Sequence, residues 1–516
     1  MKRWIELTYL TIKYALFCLL RMVRIYPHSY PRIIRNYLQE AGGALVKLGQ
    51  ILALRHEILP PEYCWELSEL FDNVTPMSYY AVRCIIVEEY GRQPNEIFTL
   101  FEERPIASAS FAQVHKAILA DGRVVAVKVQ RPDLETKVRG DFRFLKFISI
   151  IISPVLNLHA IRFSEALSEI EESTYKELDY RLEKDNAEAI RQSITDHTKF
   201  YIPKTYSELT TTKVLVQDFV EGIKLNDILR AKRELVGSDK FKDNDLDLNT
   251  IAVDIVSELA RQYFMGGIYH SDPHPGNIII TSDKRIAFVD FGIVGSVSKY
   301  SRAMFWDFIG HIAVNPDPQK AAEAFLKLGL RPIEDRVRYL AQDNQQVIRQ
   351  FSDVLETLSE SFEQPLGSIM KSWSNAIGNP GETLYNRSTA VAFLKALKLA
   401  EQYNVHFQKD IIIFIRALVI ADMMAMQISP FFKISESLSQ FARNYDLVVK
   451  DLDDVVLNQP LIENAKLLDP WDEEARLNAR EFVFNWFQNM TEDRPSLYKK
   501  IKFKSETLKK LLLNKL

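Results

Sequence analysis

Three cysteines in 516 residues, Cys18, Cys64 and Cys84, are too few and too scattered for a disulfide framework or a zinc site. They point to a reducing compartment in which the thiols serve packing. A small-residue cleavage site is missing after the apolar N-terminal segment, where Arg21-Met22-Val23-Arg24 stands instead, so the signal-peptide pattern fails. A charge-free membrane span is missing as well. Residues 4–26 are mostly apolar and run unbroken from Tyr14 to Leu20, yet Lys13 falls near the middle of any span drawn there, at a cost of about 2.5–3.5 kcal/mol. The second apolar patch, Phe147–Leu156, is too short to cross a bilayer. Residues 4–26 therefore read as an amphipathic helix with Trp4, Tyr9, Tyr14 and Phe17 among its apolar residues. It either lies on a membrane surface or packs on the domain behind it.

The chain is too long for one compact core, so two or three packed units are expected, and no internal repeat organises them. A formal net charge of −3 hides an uneven distribution. Lys2, Arg3, Lys13, Arg21, Arg24, Arg32 and Arg35 face Glu6 alone at one end, and Lys499, Lys500, Lys502, Lys504, Lys509, Lys510 and Lys515 face Glu506 alone at the other. Leu508, Leu511 and Leu512 share one helical face among those C-terminal lysines. Basic, amphipathic ends around an acidic body suit an anionic membrane surface.

The chemistry gathers between His270 and Gly292. His270-Ser271-Asp272-Pro273-His274-Pro275-Gly276-Asn277 leads into an apolar strand, a turn at Thr281–Lys284, a second strand and then Asp290-Phe291-Gly292. Phosphoryl transfer needs a carboxylate to orient the attacking hydroxyl, an amide oxygen on a metal, and a second carboxylate on the metals that bridge the phosphates. This stretch supplies all three in order, with Asp272 and Asn277 spaced as in the kinase catalytic-loop pattern. Upstream, Asp121-Gly122 makes a hairpin turn into Val124–Gln130, a strand with Lys128 alone in an apolar run. A lysine so placed needs a partner. The loop ahead of it, Ala107-Ser108-Ala109-Ser110, replaces the three-glycine phosphate loop of ordinary kinases and is expected to be stiffer. One helix is expected to carry Glu177, Asp179 and Glu183. Glu177 and Glu183, six apart, then face well over a right angle from each other, so one reaches the nucleotide cleft and the other looks outward. Val214–Gly222 reads as a buried strand and turn that suits the adenine-side hinge, with Gln217 and Phe219 in it. No Ala-Pro-Glu follows Gly292 within some thirty residues, and Ser271 stands where protein kinases carry arginine. A peptide-docking platform and control by a phosphorylated loop are therefore not expected.

Lys47-Leu48-Gly49-Gln50, the Ala107–Ser110 loop, Val-Ala-Val-Lys128, Glu177-x-Asp179 and the Asp272–Asp290 stretch occur here in one order. With them the chain resembles the UbiB-type (ADCK, aarF-domain) atypical kinases over residues 37 to 295. The resemblance implies an α+β, protein-kinase-like bilobal fold with an N-terminal helical extension and a large all-α C-terminal region. It divides the chain into a basic amphipathic segment (1–36), a helical extension with the Lys-x-Gly-Gln motif (37–78), an N-lobe with a helical insertion (79–217), a mostly helical C-lobe (218–450) and a helical tail (451–516). Carried over by position, Lys128 is the phosphate-contacting lysine, Glu183 its helix partner and Asp272 the catalytic-loop carboxylate. Asn277 and Asp290 become magnesium ligands, and Ala107, Ser108, Ala109, Ser110, Gln217 and Phe219 nucleotide contacts. Lys47 and Gln50 become regulatory groups that fold over the site and meet Glu177 and Asp179. The hinge departs from the commoner Met-Glu-Phe/Tyr by reading Gln217-Asp218-Phe219, which leaves its adenine contacts open.

The implied cofactors are ATP/ADP and Mg2+, and the implied partners are an anionic membrane surface, prenyl-lipid intermediates and quinone-biosynthesis enzymes, with no nucleic acid. Two functions follow. One is an ATPase or small-molecule or lipid kinase serving isoprenoid quinone or other prenyl-lipid metabolism. The other is a non-catalytic, nucleotide-dependent scaffold for membrane-bound biosynthetic enzymes. The expected location is peripheral, on the cytoplasmic face of a bacterial membrane or on an organelle membrane.

Overall fold

The computed structural model describes residues 2–53, 59, 61–68, 70, 75–152, 160–234, 246–314, 317–341, 344–377, 379, 381–405, 407, 409–429, 432–434, 436–438, 441 and 477–486. The helix expected at the basic C-terminus, nearly all of the tail at 451–516, and the end of the Phe147–Leu156 patch lie outside the described residues. The chain divides into two compact units, one of residues 1–241 with 272–294 and one of 242–271 with 295–516.

The first unit opens with four helices, α1 (Lys2–Met22), α2 (Tyr30–Ala41), α3 (Ala44–Ala53) and α4 (Pro61–Ser68). Pro61 at the start of α4 uses the position where a missing amide costs nothing. Leu7 and Leu10 of α1 pack with Leu38, Ala41, Leu45, Val46 and Phe144, so α1 does rest on the domain. Its opposite face is open: Ile5, Tyr9, Ile12, Leu16 and Leu19 are 52–66% exposed at three- and four-residue intervals. The packing expected of this helix is thus present on one of its two faces.

Helix α5 (Tyr79–Tyr90), capped by the Ser78 hydroxyl, and the short α6 (Pro94–Ile97) precede strands β1 (Leu100–Phe101), β2 (Ala107–Ser108), β3 (Ala112–Ile118) and β4 (Val124–Gln130). After α7 (Leu134–Ile152), α8 (Ala160–Lys176) and α9 (Tyr180–Ser193) come β5 (Phe200–Tyr201), β6 (Val214–Asp218), β7 (Gly222–Lys224) and α10 (Leu225–Glu234). The first sheet runs β1-β3-β4-β6, with β2 on β3, all antiparallel. Side chains alternate across a strand. Val125, Val127 and Val129 therefore join Val82, Ile85 and Ile86 of α5 in one core, while Lys128 points to the other face of the sheet. A second sheet holds the expected hairpin, strands Ile278–Thr281 and Ile286–Phe288, flanked by β7 and β5.

The second unit is helical: α11 (Leu248–Arg261), α12 (Lys299–Ile309), α13 (Pro318–Ala341), α14 (Gln345–Ile377), α15 (Leu384–Arg387), α16 (Thr389–Glu401) and α17 (Lys409–Ile428). Ser298 caps α12, its hydroxyl accepting the Ser301 amide. Among the described residues, Asp410–Ile428 alone is long and apolar enough to cross a membrane, and most of it is buried inside the protein.

Candidate active site

The single helix expected through Glu177, Asp179 and Glu183 is broken in the structure. Helix α8 ends at Lys176 and α9 starts at Tyr180, capped by the Asp179 carboxylate, which accepts the Arg181 amide at 3.0 Å and pairs with the Arg181 guanidinium. A short polar side chain at a break satisfies amides that the helix cannot, and it ended α8 where apolar spacing alone would have continued it. Glu177 thus sits in the connection, and its direction is set by that turn and not by a helical angle to Glu183.

Lys128 projects from β4, and Glu183 lies in the first turn of α9. Lys128 Nζ donates to Glu183 Oε1 and Oε2 at 2.8 and 2.9 Å and to Asp290 Oδ2 at 3.0 Å, and it stands 5.2 Å from the centre of the Tyr180 ring. Desolvation opposes the lysine's charge, but Asp290 and Glu183 outweigh it and hold the ammonium protonated well above its ordinary range. The two carboxylates divide unequally. Burial pushes Glu183, 4% exposed, up to about 7 against the pull of Lys128, whereas at Asp290 the same burial is overcome by Lys128 and the Gly292 amide, and its pKa falls well below the usual carboxylate range.

The Asp272–Asn277 loop is braced from within. The Asp272 carbonyl accepts the His274 amide at 2.8 Å and the Asn277 side-chain amide at 3.3 Å, and the Asn277 carbonyl accepts the Val289 amide at 3.0 Å, tying loop to hairpin. Burial, opposed by Lys47 and reinforced by the like charge of Asp290, lifts the Asp272 carboxyl to about 6. A carboxylate near neutrality is matched to general-base work.

From α3, Lys47 reaches Glu177 Oε2 at 2.7 Å, and its charge is also felt by Asp272 and Asp290. The side chains of Gln50 and Asp179 do something else. Gln50 donates to the Leu70 carbonyl at 3.0 Å, and Asp179 caps α9, so of the four regulatory candidates only Lys47 and Glu177 are brought together. The motif glycine is a packing residue, because a Cβ at Gly49 would run into the Leu70 and Leu38 side chains. Glu177 Oε1 and the Tyr180 hydroxyl are buried with no hydrogen-bond partner among the described residues. Such atoms are costly unless something polar arrives to meet them.

The loop Ala107–Ser110 is half strand, since β2 pairs with β3 and the Ala109 amide donates to the Ala112 carbonyl at 2.8 Å. Arg131, which the sequence reading passed over, clamps it by donating to the Ala109 carbonyl, the Ser108 hydroxyl and the Thr75 carbonyl at 2.9, 3.0 and 2.8 Å. Asn186 was missed too. It stands three residues after Glu183 on the same face of α9 and donates to the Phe291 carbonyl at 3.0 Å. At the hinge, Gln217 donates to the Val289 carbonyl at 3.2 Å, the residue before Asp290, and the Lys116 ammonium stands over the Phe219 ring at 4.8 Å. All of these groups belong to the first unit.

Comparison with known proteins locates this geometry in a family. The model of the ABC1 atypical kinase-like domain matches residues 69–325. An uncharacterized protein in the hydrogenase 1 5′ region of Clostridium pasteurianum is 27% identical over 83% of this chain and 74% of its own length. The chloroplastic protein ACTIVITY OF BC1 COMPLEX KINASE 1 of Arabidopsis thaliana is 31% identical over 78% of this chain, which spans about half (54%) of that longer protein. A probable protein kinase UbiB of Pseudomonas aeruginosa is 28% identical over 77% of this chain and 68% of its own. The chain belongs to the ABC1 (UbiB, aarF-domain) family of atypical kinase-like proteins.

Proposed function

We propose that this protein is a magnesium- and ATP-dependent enzyme, an ATPase or a kinase of small molecules or lipids. The observation that carries the reading is Lys128 held between Glu183 and Asp290 at hydrogen-bond distance. In the proposed roles Lys128, fixed by Glu183, contacts the nucleotide phosphates, and Asp272 orients the attacking hydroxyl or water and takes its proton. Ala107–Ser110, Gln217 and Phe219 line the nucleotide. Asn277 and Asp290 suit magnesium, because an amide and a carboxylate oxygen are hard donors and this ion is commonly held by one or two carboxylates with phosphate oxygens completing the shell. Among the described residues no group of three or more His, Cys, Asp or Glu offers a fuller cage. The unpartnered Glu177 Oε1 leaves acceptor capacity beside them. Held by these two residues, magnesium would supply the positive charge that neutralises the phosphate oxygens.

The place of action in this proposal is an anionic membrane surface on the cytoplasmic side, or that of an organelle, and the acceptor class is an isoprenoid quinone precursor or another prenyl lipid. The open apolar stripe of α1, with Arg21 and Arg24 beyond its end, supports the membrane part. A second reading, a nucleotide-dependent scaffold for biosynthetic enzymes, draws support from Lys47, whose ammonium faces the carboxylates that a metal would need. Phosphate release from ATP by purified protein, with and without anionic liposomes carrying a prenyl-quinone precursor, tests the choice. Turnover that Asp272→Asn abolishes supports the enzyme, and tight nucleotide binding without turnover under any condition supports the scaffold.

A further inference from the structure

Asp141 lies in the middle of α7, its side chain fully buried and outside every motif of the site. It accepts the backbone amide of Ala44, the first residue of α3, at 3.0 Å, and the Arg3 guanidinium of α1 at 2.7 and 3.1 Å. A carboxylate on the first amide of a helix satisfies one of its unpaired donors and complements its dipole. The approach allows no side chain, because a Cβ on Gly43 would lie 2.9 Å from Asp141 Oδ2 and 3.4 Å from Arg3 Nη2. Gly42 and Gly43 both have positive φ, 65° and 58°, so the turn that launches α3 takes a backbone form that favours glycine. Further along α3, Gln50 ties the helix to the Leu70 carbonyl. Lys47 lies between these two fixings, three residues past Ala44.

We propose that Asp141, with Arg3 as its counter-ion, is the positioning residue for Lys47. It sets the origin of α3 and thereby holds the Lys47 ammonium against Glu177 and opposite Asp272 and Asp290. The pair does not touch the site. It acts only through the helix it anchors. A cation held there repels a divalent ion from the same carboxylates, so the anchor tunes how much magnesium the site needs. The inference rests on the nucleotide reading above and deepens it by assigning a regulator of that site's metal demand.

The test is binding of the fluorescent analogue mant-ATP to the full chain across a magnesium titration. Lys47→Met is expected to lower the half-saturating magnesium concentration roughly tenfold, and Asp141→Asn by at least about threefold, because the anchored lysine is the repelling charge. In Lys47→Met/Asp141→Asn the second change adds nothing, the signature of two residues acting along one route. In nucleotide-free protein, amide exchange over residues 44–50 rises in Asp141→Asn and not in Lys47→Met. An Asp141→Asn protein with wild-type magnesium demand, or one whose effect persists undiminished beside Lys47→Met, overturns the positioning role while leaving the nucleotide site standing. A Lys47→Met protein with unaltered magnesium demand also overturns the proposal, since Lys47 is then not the repelling charge, whereas wild type that does not bind mant-ATP overturns the nucleotide reading itself. Should Asp141→Asn fail to fold, Arg3→Gln and Gly43→Ala disturb the same node from its more exposed side and from the backbone, and the same outcomes apply.

Discussion

Lys128 Nζ stands 2.9 Å from Glu183 Oε2, a lysine from the middle of a strand meeting a glutamate one turn into a helix that begins 52 residues later, at Tyr180. Removing the lysine strands a carboxylate that is 4% exposed. Lys128→Met is expected to cost about 3 kcal/mol, the low end for breaking a buried pair because the lysine itself is partly open. Urea unfolding of the nucleotide-free protein measures it. Glu183→Gln, which keeps a hydrogen-bond acceptor, costs less, and equal costs for the two variants would show that no uncompensated charge is left behind.

The same glutamate gives stability a pH dependence. Its folded pKa is raised by burial to about 7 from an ordinary 4.5, so the folded state binds the extra proton across that interval. The contribution is complete below about pH 4.5 and is lost as pH rises through 7. The stability of wild type relative to Glu183→Gln is therefore expected to fall by about 2 kcal/mol between pH 5 and 7.5. A flat difference across that range would place the titrating proton elsewhere.

What was legible in the sequence was what is local. The Asp272–Gly292 hairpin and the Lys128 strand each show in a few adjacent residues through turn chemistry or alternation. The break at Glu177–Asp179 was hidden because Leu178 keeps an apolar spacing across it and only the Asp179 cap marks the boundary. Asp141 lies 97 residues from Ala44 and 138 from Arg3, and a buried acid inside an amphipathic helix gives no hint of the amide it will meet. Pro332 and Pro365 lie inside α13 and α14, where packing overrode the rule that a proline ends a helix.

Arg131 offers a test of the phosphate-side loop that leaves the ion pairs alone. Its three hydrogen bonds to Thr75, Ser108 and Ala109 are partly exposed, so Arg131→Ala is expected to lower stability by only about 1 kcal/mol. Its larger effect is on order. The loop between β2 and β3 is expected to become cleavable near residues 108–110 in limited proteolysis, with mant-ATP affinity falling several-fold. Affinity and cleavage both at wild-type values would show that pairing of β2 with β3 suffices to hold the loop.

The membrane proposal rests on α1 having one face committed to the domain and one left open. Leu7 and Leu10 are buried and Lys13 is paired with Glu40 at 2.7 Å, so the helix is anchored in the protein and cannot turn its inner face outward without losing both. Ile5, Tyr9, Ile12, Leu16 and Leu19 remain in solvent, a row that a lipid interface would accept along its length. Ile12→Asp and Leu16→Asp change exposed positions and are expected to alter stability by less than about 0.5 kcal/mol. Each removes a side chain whose full burial is worth about 1.5–3 kcal/mol and adds a charge the anionic surface repels, so co-sedimentation with anionic liposomes should fall at least tenfold. Raising salt should weaken the wild-type protein's binding and neutral liposomes should bind it less, because the basic residues contribute through a screened attraction. Retention through high salt and carbonate would show that the segment inserts, and unchanged sedimentation of both variants would assign the stripe to a protein partner.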